Sequence, residues 1–309
     1  MIKVRSLKKT YGRVQALRGL DMEVPAGAVY GFIGQNGAGK TTTLRILAGL
    51  LVPDGGTAEV AGLEIGSHPR ALREVVGYMP DFFGVYDDLR VGEYLLFYAA
   101  AYGIRGPRAF KLRDDLLELV ELGEKREAFV DTLSRGMQQR LCLARALIHD
   151  PRVLLLDEPA SGLDPLARVE MREILKELSK LGKTILISSH ILSELADLCT
   201  HVGMITEGRL VRQGPLAELL NGTPVQTIIL RCHGPAEAAE KLLAGWPGVE
   251  VLRSLPGQVE FRLAGGSAQA AELLKELVLR GVPVTHFAQE EQSLEDTFVQ
   301  LAREGGLNG

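Results

Sequence analysis

The chain has 309 residues, 46% of them hydrophobic and 24% charged, the balance of a globular protein with enough apolar residues for two cores. Its net charge of −4 gives no basic field for nucleic acid, and its three cysteines, Cys142, Cys199 and Cys232, lack metal-site spacing and read as small buried apolar residues. The longest uncharged apolar stretch, Tyr94 to Ile104, is short of the ~20 residues that cross a bilayer, and Met1-Ile2-Lys3-Val4-Arg5 has no signal-peptide core, so a cytoplasmic protein, or one peripheral to a membrane partner, is expected.

Ile2 to Leu7 alternates like a strand, Lys8 to Gly12 turns, and Val14 to Val24 resumes strand character. Tyr11 stands in that turn, where its ring is either an ordinary half-buried aromatic or a platform for a nucleotide base. Ala28 to Ile33 is a short buried strand. It leads into Gly34-Gln35-Asn36-Gly37-Ala38-Gly39-Lys40-Thr41-Thr42, and the helical spacing of Thr42 to Ala48 follows.

Strand, glycine loop and helix are the context that the G-x-x-x-x-G-K-[ST] pattern requires of a phosphate-binding loop. The glycines let backbone N–H groups turn inward on an anion, and the helix adds its positive end. Lys40 supplies a mobile charge for the β and γ phosphates of a nucleoside triphosphate, and the Thr41 hydroxyl is placed to ligate the Mg2+ that bridges them. The glycines run G-x-x-G-x-G before Lys-Thr, which disfavours a dinucleotide fold.

Beyond the turn Pro53-Asp54-Gly55-Gly56, Thr57–Val60 and Val75–Met79 are expected strands, the second ending at Pro80-Asp81. Val91–Tyr102 and Leu112–Leu122 are expected helices, forming an insertion at about residues 85–150. Ser134 suits the N-cap of an amphipathic helix through Leu147. Val153–Leu156 is a buried strand closed by Asp157-Glu158. Asp157 can hold the magnesium ion, directly or through water, and Glu158 can polarise an attacking water. Two adjacent buried acids without a cation would repel each other.

Pro165 starts a helix reaching about Leu181, Thr184–Ser189 is another buried strand ending in His190, and Val202–Val211 is β-rich before a short helix, Pro215–Leu220. These alternations imply an α/β fold with a mostly parallel sheet over residues 1–220. A linker at Asn221-Gly222-Thr223-Pro224 precedes a small domain, 225–309, with strands at Gln226–Cys232, Val249–Leu252, Gln258–Leu263 and Pro283–Phe287. Helices at Ala236–Leu243 and Ala268–Leu279 complete a β-α-β-β-α-β, ferredoxin-like order, with Trp246 as a core anchor and a final helix at Leu294–Arg303. Lone His68, His149, His201, His233 and His286 read as surface or turn residues.

In order, Tyr11, the phosphate loop, Gly77-Tyr78-Met79-Pro80-Asp81, Leu133-Ser134-Arg135-Gly136-Met137, Asp157-Glu158, Ser161-Gly162-Leu163-Asp164 and His190 resemble the ATP-binding subunits of ABC transporters. The resemblance covers residues 1–220. It implies a P-loop ATPase fold with an antiparallel β subdomain. It also implies a head-to-tail dimer, of two copies or with a paired subunit, that sandwiches two ATP molecules with Mg2+. In that arrangement Ser134 and Gly136 of one copy face the γ phosphate held by the other, Asp164 lies at the boundary, and His190 contacts the γ phosphate beside Glu158.

The resemblance departs at two places. The family has Gln where this chain has Asp81, a carboxylate that can still ligate magnesium but lacks the amide donor. The signature reads LSRGM against LSGGQ. The small C-terminal domain is similar to those of ATPase subunits that serve separate membrane permeases, many of them exporters. A soluble ATPase acting on ribosomes or DNA is the alternative, and the second module or long coiled-coil insertion usual there is not present in the sequence.

Overall fold

Three short runs, Val29–Ile33, Val153–Asp157 and Thr184–Ser189, are buried at every position. Only strands covered on both faces allow that, so these runs fix the middle of a layered α/β sheet. The computed structural model describes residues 1–81, 84, 88–191, 195, 197–221, 225–234 and 237–289. The described residues divide into two compact units, one spanning Met1–Leu216 and a second that begins at Ala217.

In the first unit, β1 (Ile2–Tyr11), β2 (Val14–Val24), β3 (Val29–Ile33), β4 (Gly55–Val60) and β5 (Leu63–Glu64) are followed by β6 (Val76–Met79), β7 (Val153–Asp157), β8 (Thr184–Ser189), β9 (His201–Thr206) and β10 (Arg209–Pro215). The helices are α1 (Lys40–Leu47), α2 (Pro69–Val75), α3 (Val91–Ala101), α4 (Pro107–Leu119), α5 (Arg135–Leu147) and α6 (Pro165–Lys180), with α7 (Leu216–Asn221) at the division between units. A six-stranded sheet runs β10-β9-β3-β8-β7-β6, parallel except for β10, and a separate antiparallel sheet runs β2-β1-β4-β5. One core joins the two, with Leu7, Leu20 and Met22 packed in the same cluster as Phe32, Leu44 and Leu155. The expected mostly parallel sheet, antiparallel subdomain and helical insertion are all present.

The second unit holds β11 (Val225–Cys232), α8 (Glu237–Ala244), β12 (Val249–Leu255), β13 (Gln258–Ala264), α9 (Ser267–Leu279) and β14 (Val284–Gln289). Its strand order, β12-β13-β11-β14, is antiparallel and ferredoxin-like, as expected. Ile228, Leu230, Phe261, Leu273 and Leu277 form its core, and Trp246 packs against it half-buried.

Several local expectations shift. Helix α2 is missed by periodicity because it is seven residues long and buries only Leu72. Helix α4 begins at Pro107, five residues before the expected start, because Gly106 at φ +62° redirects the chain and Pro107 presets the first turn. The single β-rich piece near 202–211 is the hairpin β9–β10, turned through Glu207 and Gly208, both at positive φ. The expected final helix, Leu294–Arg303, and most of the expected linker lie outside the described residues.

All three cysteines are buried, and burial pushes the Cys142 thiol up to about 11 and the Cys199 thiol up to about 12, so both are inert at neutral pH. His149 departs from its expected surface setting. It is half-buried, its Nε2 lies 2.9 Å from the Val76 carbonyl, and its ring stacks on Tyr102 at 4.3 Å, which ties the insertion to β6.

Burial lowers the pKa of His149, helped by the nearby Lys183 charge and opposed by the Val76 carbonyl and Asp150. The fold therefore favours neutral imidazole, and the unfolded chain takes up more protons just below the ordinary histidine pKa. The stability this contributes is present above that pKa and is lost as pH falls through it. Between about pH 7.5 and about pH 5.5 the thermal midpoint of the parent should fall more steeply than that of His149→Gln; parallel curves would remove His149 from the acid response.

Candidate active site

Strand β3 delivers the chain to the phosphate loop at its C-terminal edge, and two of the loop's glycines, Gly34 and Gly39, are forced by close backbone neighbours. A Cβ at Gly34 would collide with the Ile205 carbonyl, and one at Gly39, φ +109°, would lie 2.7 Å from the Ala16 carbonyl. Gly37, at φ +81°, forms with Gln35 and Asn36 an exposed crest, while Ala38 is buried beneath it and donates to Gln35 O at 3.1 Å. Lys40 opens α1. Its Nζ is buried and folds back to donate to the carbonyls of Gly34 at 2.6 Å and Gln35 at 3.3 Å. Thr41 and Thr42 stand half-buried beside it.

The carboxylates arrive on β7, two strands away. Asp157 is 1% exposed, and its Oδ1 accepts from Ser188 Oγ at 2.7 Å and Thr41 Oγ1 at 3.1 Å. Burial pushes its carboxyl above the usual range. The bonds from Ser188 and Thr41 pull it down, and the negative charges of Asp81 and Glu158 push it further up. That combination favours a cation at this point.

Glu158 turns the chain at φ +50°, a left-handed conformation that a β-carbon normally avoids. Its amide donates to Ser188 Oγ at 3.0 Å. Oε2 lies 2.9 Å from His190 Nδ1, and Oε1 lies 3.3 Å from Lys40 Nζ. Because the lysine's donors are directed at the loop carbonyls, Oε1 is buried with no hydrogen bond among the described residues. A carboxylate oxygen so placed is free to accept a proton from a water molecule.

Asp81 follows β6, exposed, with its backbone carbonyl accepting from Gln139 Nε2 at 3.4 Å. Tyr11 ends β1, 47% exposed, with Lys9 Nζ 5.9 Å from its ring centroid. A second group lies at two helix starts. Ser134 caps α5, its Oγ accepting from Met137 N at 3.3 Å, and Asp164 caps α6, accepting from Ala167 N at 2.9 Å. Gly136 allows these starts to approach, since a Cβ there would lie 2.9 Å from the Ala167 Cβ.

The structure thus brings Lys40, Thr41, Asp157, Glu158 and His190 into one connected cluster, with Asp81 close enough to act on Asp157. It places Ser134 and Asp164, both exposed, together as a separate group, with Gly136 buried between the two helix starts. Among the described residues no hydrogen bond or ion pair joins the two groups. Sequence reasoning missed Ser188, which holds both acids, and Gln139, which holds Asp81. A serine in an otherwise apolar buried strand was the available signal for Ser188.

Residues 17–161 match the family model described as ABC transporter, and residues 214–302 match that described as ATP-binding protein DrrA1-3-like, C-terminal domain. Nod factor export ATP-binding protein I of Burkholderia orbicola (strain AU 1054) is 38% identical over 302 residues, 97% of this chain and 96% of that protein. Daunorubicin/doxorubicin resistance ATP-binding protein DrrA of Streptomyces peucetius is 35% identical, over 97% of this chain and 92% of that protein. A solved ATP binding subunit of an ABC transporter superposes with a TM-score of 0.65 at 29% identity, covering 72% of this chain and 92% of that one.

Removing the Ser188 hydroxyl leaves Asp157 Oδ1 and the Glu158 amide each short of a buried partner. Ser188→Ala should therefore lower unfolding free energy by about 1–3 kcal/mol in urea titration of the nucleotide-free protein; an unchanged midpoint would show that neither bond matters.

Proposed function

This chain belongs to the ABC transporter family as one of its ATP-binding ATPase subunits, and we propose that it powers export through a separate membrane permease bound at the cytoplasmic face of the membrane. The export named in the Burkholderia orbicola relative supports that direction over action on ribosomes or DNA. No described helix is long and apolar enough to cross a membrane, so the span is assigned to the permease. Two such subunits, identical or paired, close head to tail on two ATP molecules.

The observation that carries this reading is the Glu158 carboxylate bracketed by Lys40 at 3.3 Å and His190 at 2.9 Å, next to a glycine loop. The triphosphate lies along Gly34–Thr42, with the adenine on Tyr11. Lys40 exchanges the carbonyls of Gly34 and Gln35 for β and γ phosphate oxygens. His190 orients Glu158 and the γ phosphate, and Glu158 Oε1 takes the proton of the attacking water.

Thr41 Oγ1 and Asp157 Oδ1, 3.1 Å apart, and the nearby Asp81 are hard oxygen donors that fit Mg2+. Among the described residues no three His, Cys, Asp or Glu side chains converge as a closed cage. That agrees with an ion held by few side chains and completed by phosphate and water. When bound, it neutralises phosphate charge.

Ser134 and Gly136 of the second copy meet the γ phosphate with a hydroxyl and helix-start amides, and Asp164 lines the boundary. The nucleotide then holds both copies, and cleavage of its terminal phosphate removes that contact. This difference between states is what drives the permease.

Glu158→Gln keeps the shape and removes the base. It should cut turnover at least about 100-fold while ATP produces a stable dimer, measured by phosphate release and sedimentation; parental turnover would exclude Glu158 as the base. Lys40→Ala should instead weaken ATP binding itself, read by titration with a fluorescent ATP analogue, and parental affinity would contradict the role given to Lys40.

A further inference from the structure

The first residue of α5, Arg135, is exposed, and its guanidinium carbon lies so close over Gly162 that a Cβ there would sit 2.7 Å from it. The cation is therefore seated on the turn between Glu158 and Asp164, a turn that Gly162 makes at φ +68°. Among the described residues its guanidinium has no ion pair or hydrogen bond. A cation at a helix start adds to the positive end of the helix dipole, an arrangement unfavourable by itself and favourable when an anion faces it.

The cluster of the other face has the opposite excess. Asp81, Asp157 and Glu158 stand against Lys40 as the paired cation, and Asp81 and Glu158 both raise the Asp157 carboxyl. A nucleoside triphosphate adds more negative charge at that point. Resting on the head-to-tail reading above, we propose that Arg135 of one copy contacts the γ phosphate of the ATP bound by the other, its charge answering the carboxylate of Asp81 beside that phosphate.

Arg135 is then a phosphate-binding residue supplied in trans. The two departures of this chain, a carboxylate at 81 and a guanidinium at 135, compensate each other across the interface. The guanidinium suits this role because it stays charged and offers several donors to phosphate oxygens.

The test is a double-mutant cycle on dimer dissociation, by sedimentation of the full chain in the Glu158→Gln background with ATP. Arg135→Ala should weaken the dimer at least about tenfold, less so at high salt, whereas Arg135→Lys should retain most of the affinity. In the Asp81→Asn background the loss on Arg135→Ala should shrink to about threefold or less. The same cycle on urea unfolding of the nucleotide-free monomer should show no coupling, since the contact exists only between copies.

Independent effects of Arg135→Ala and Asp81→Asn, an unchanged dimer on Arg135→Ala, or coupling already present in the monomer would overturn the inference while leaving the sandwich standing. A Glu158→Gln protein that stays monomeric with ATP would overturn both.

Discussion

Two adjacent carboxylates at the end of a buried strand are the constraint around which the first unit is arranged. Asp157 and Glu158 leave β7 where water is scarce, and each needs compensation from elsewhere in the sheet. Ser188 on β8 satisfies Asp157 and the Glu158 backbone together, Thr41 on α1 supplies a second bond to Asp157, and Lys40 and His190 flank Glu158. The order β3-β8-β7 makes this possible, because it sets the lysine loop, the serine strand and the acid strand side by side with their C-terminal ends together.

That arrangement is not a source of net stability. At 3.3 Å and an effective dielectric of about 20, Lys40 and Glu158 attract by about 5 kcal/mol. Taking the two ions out of water costs several kcal/mol for each, so the two effects roughly cancel. What the pair does is hold a cation and a base in register, while the lysine rests on its own loop carbonyls until a better acceptor arrives. The raised Asp157 carboxyl and the positive φ of Glu158 are local penalties of the same kind, concentrated where the chemistry occurs.

Much of this was legible in the sequence. The fully apolar run before Asp157 and the glycine spacing before Lys40 fix strand and loop positions, because few other structures accommodate them. Short elements were not legible: seven-residue α2 carries one buried side chain, too few to define a period, and the start of α4 depends on a glycine conformation rather than on hydrophobicity. Ser188 and Gln139 stayed hidden because their roles come from pairings 31 and 58 residues away in sequence. Arg135 was visible as a departure, but its seat on Gly162 exists only in three dimensions.

The central claim is that one copy completes the nucleotide site of another. It is tested most directly by a structure of the Glu158→Gln protein with ATP and Mg2+. The account predicts two copies related head to tail, with the Ser134 hydroxyl of each within about 3 Å of the γ phosphate seated over Lys40 of the other. ATP bound to Lys40 with Ser134 of every copy facing only solvent would contradict it.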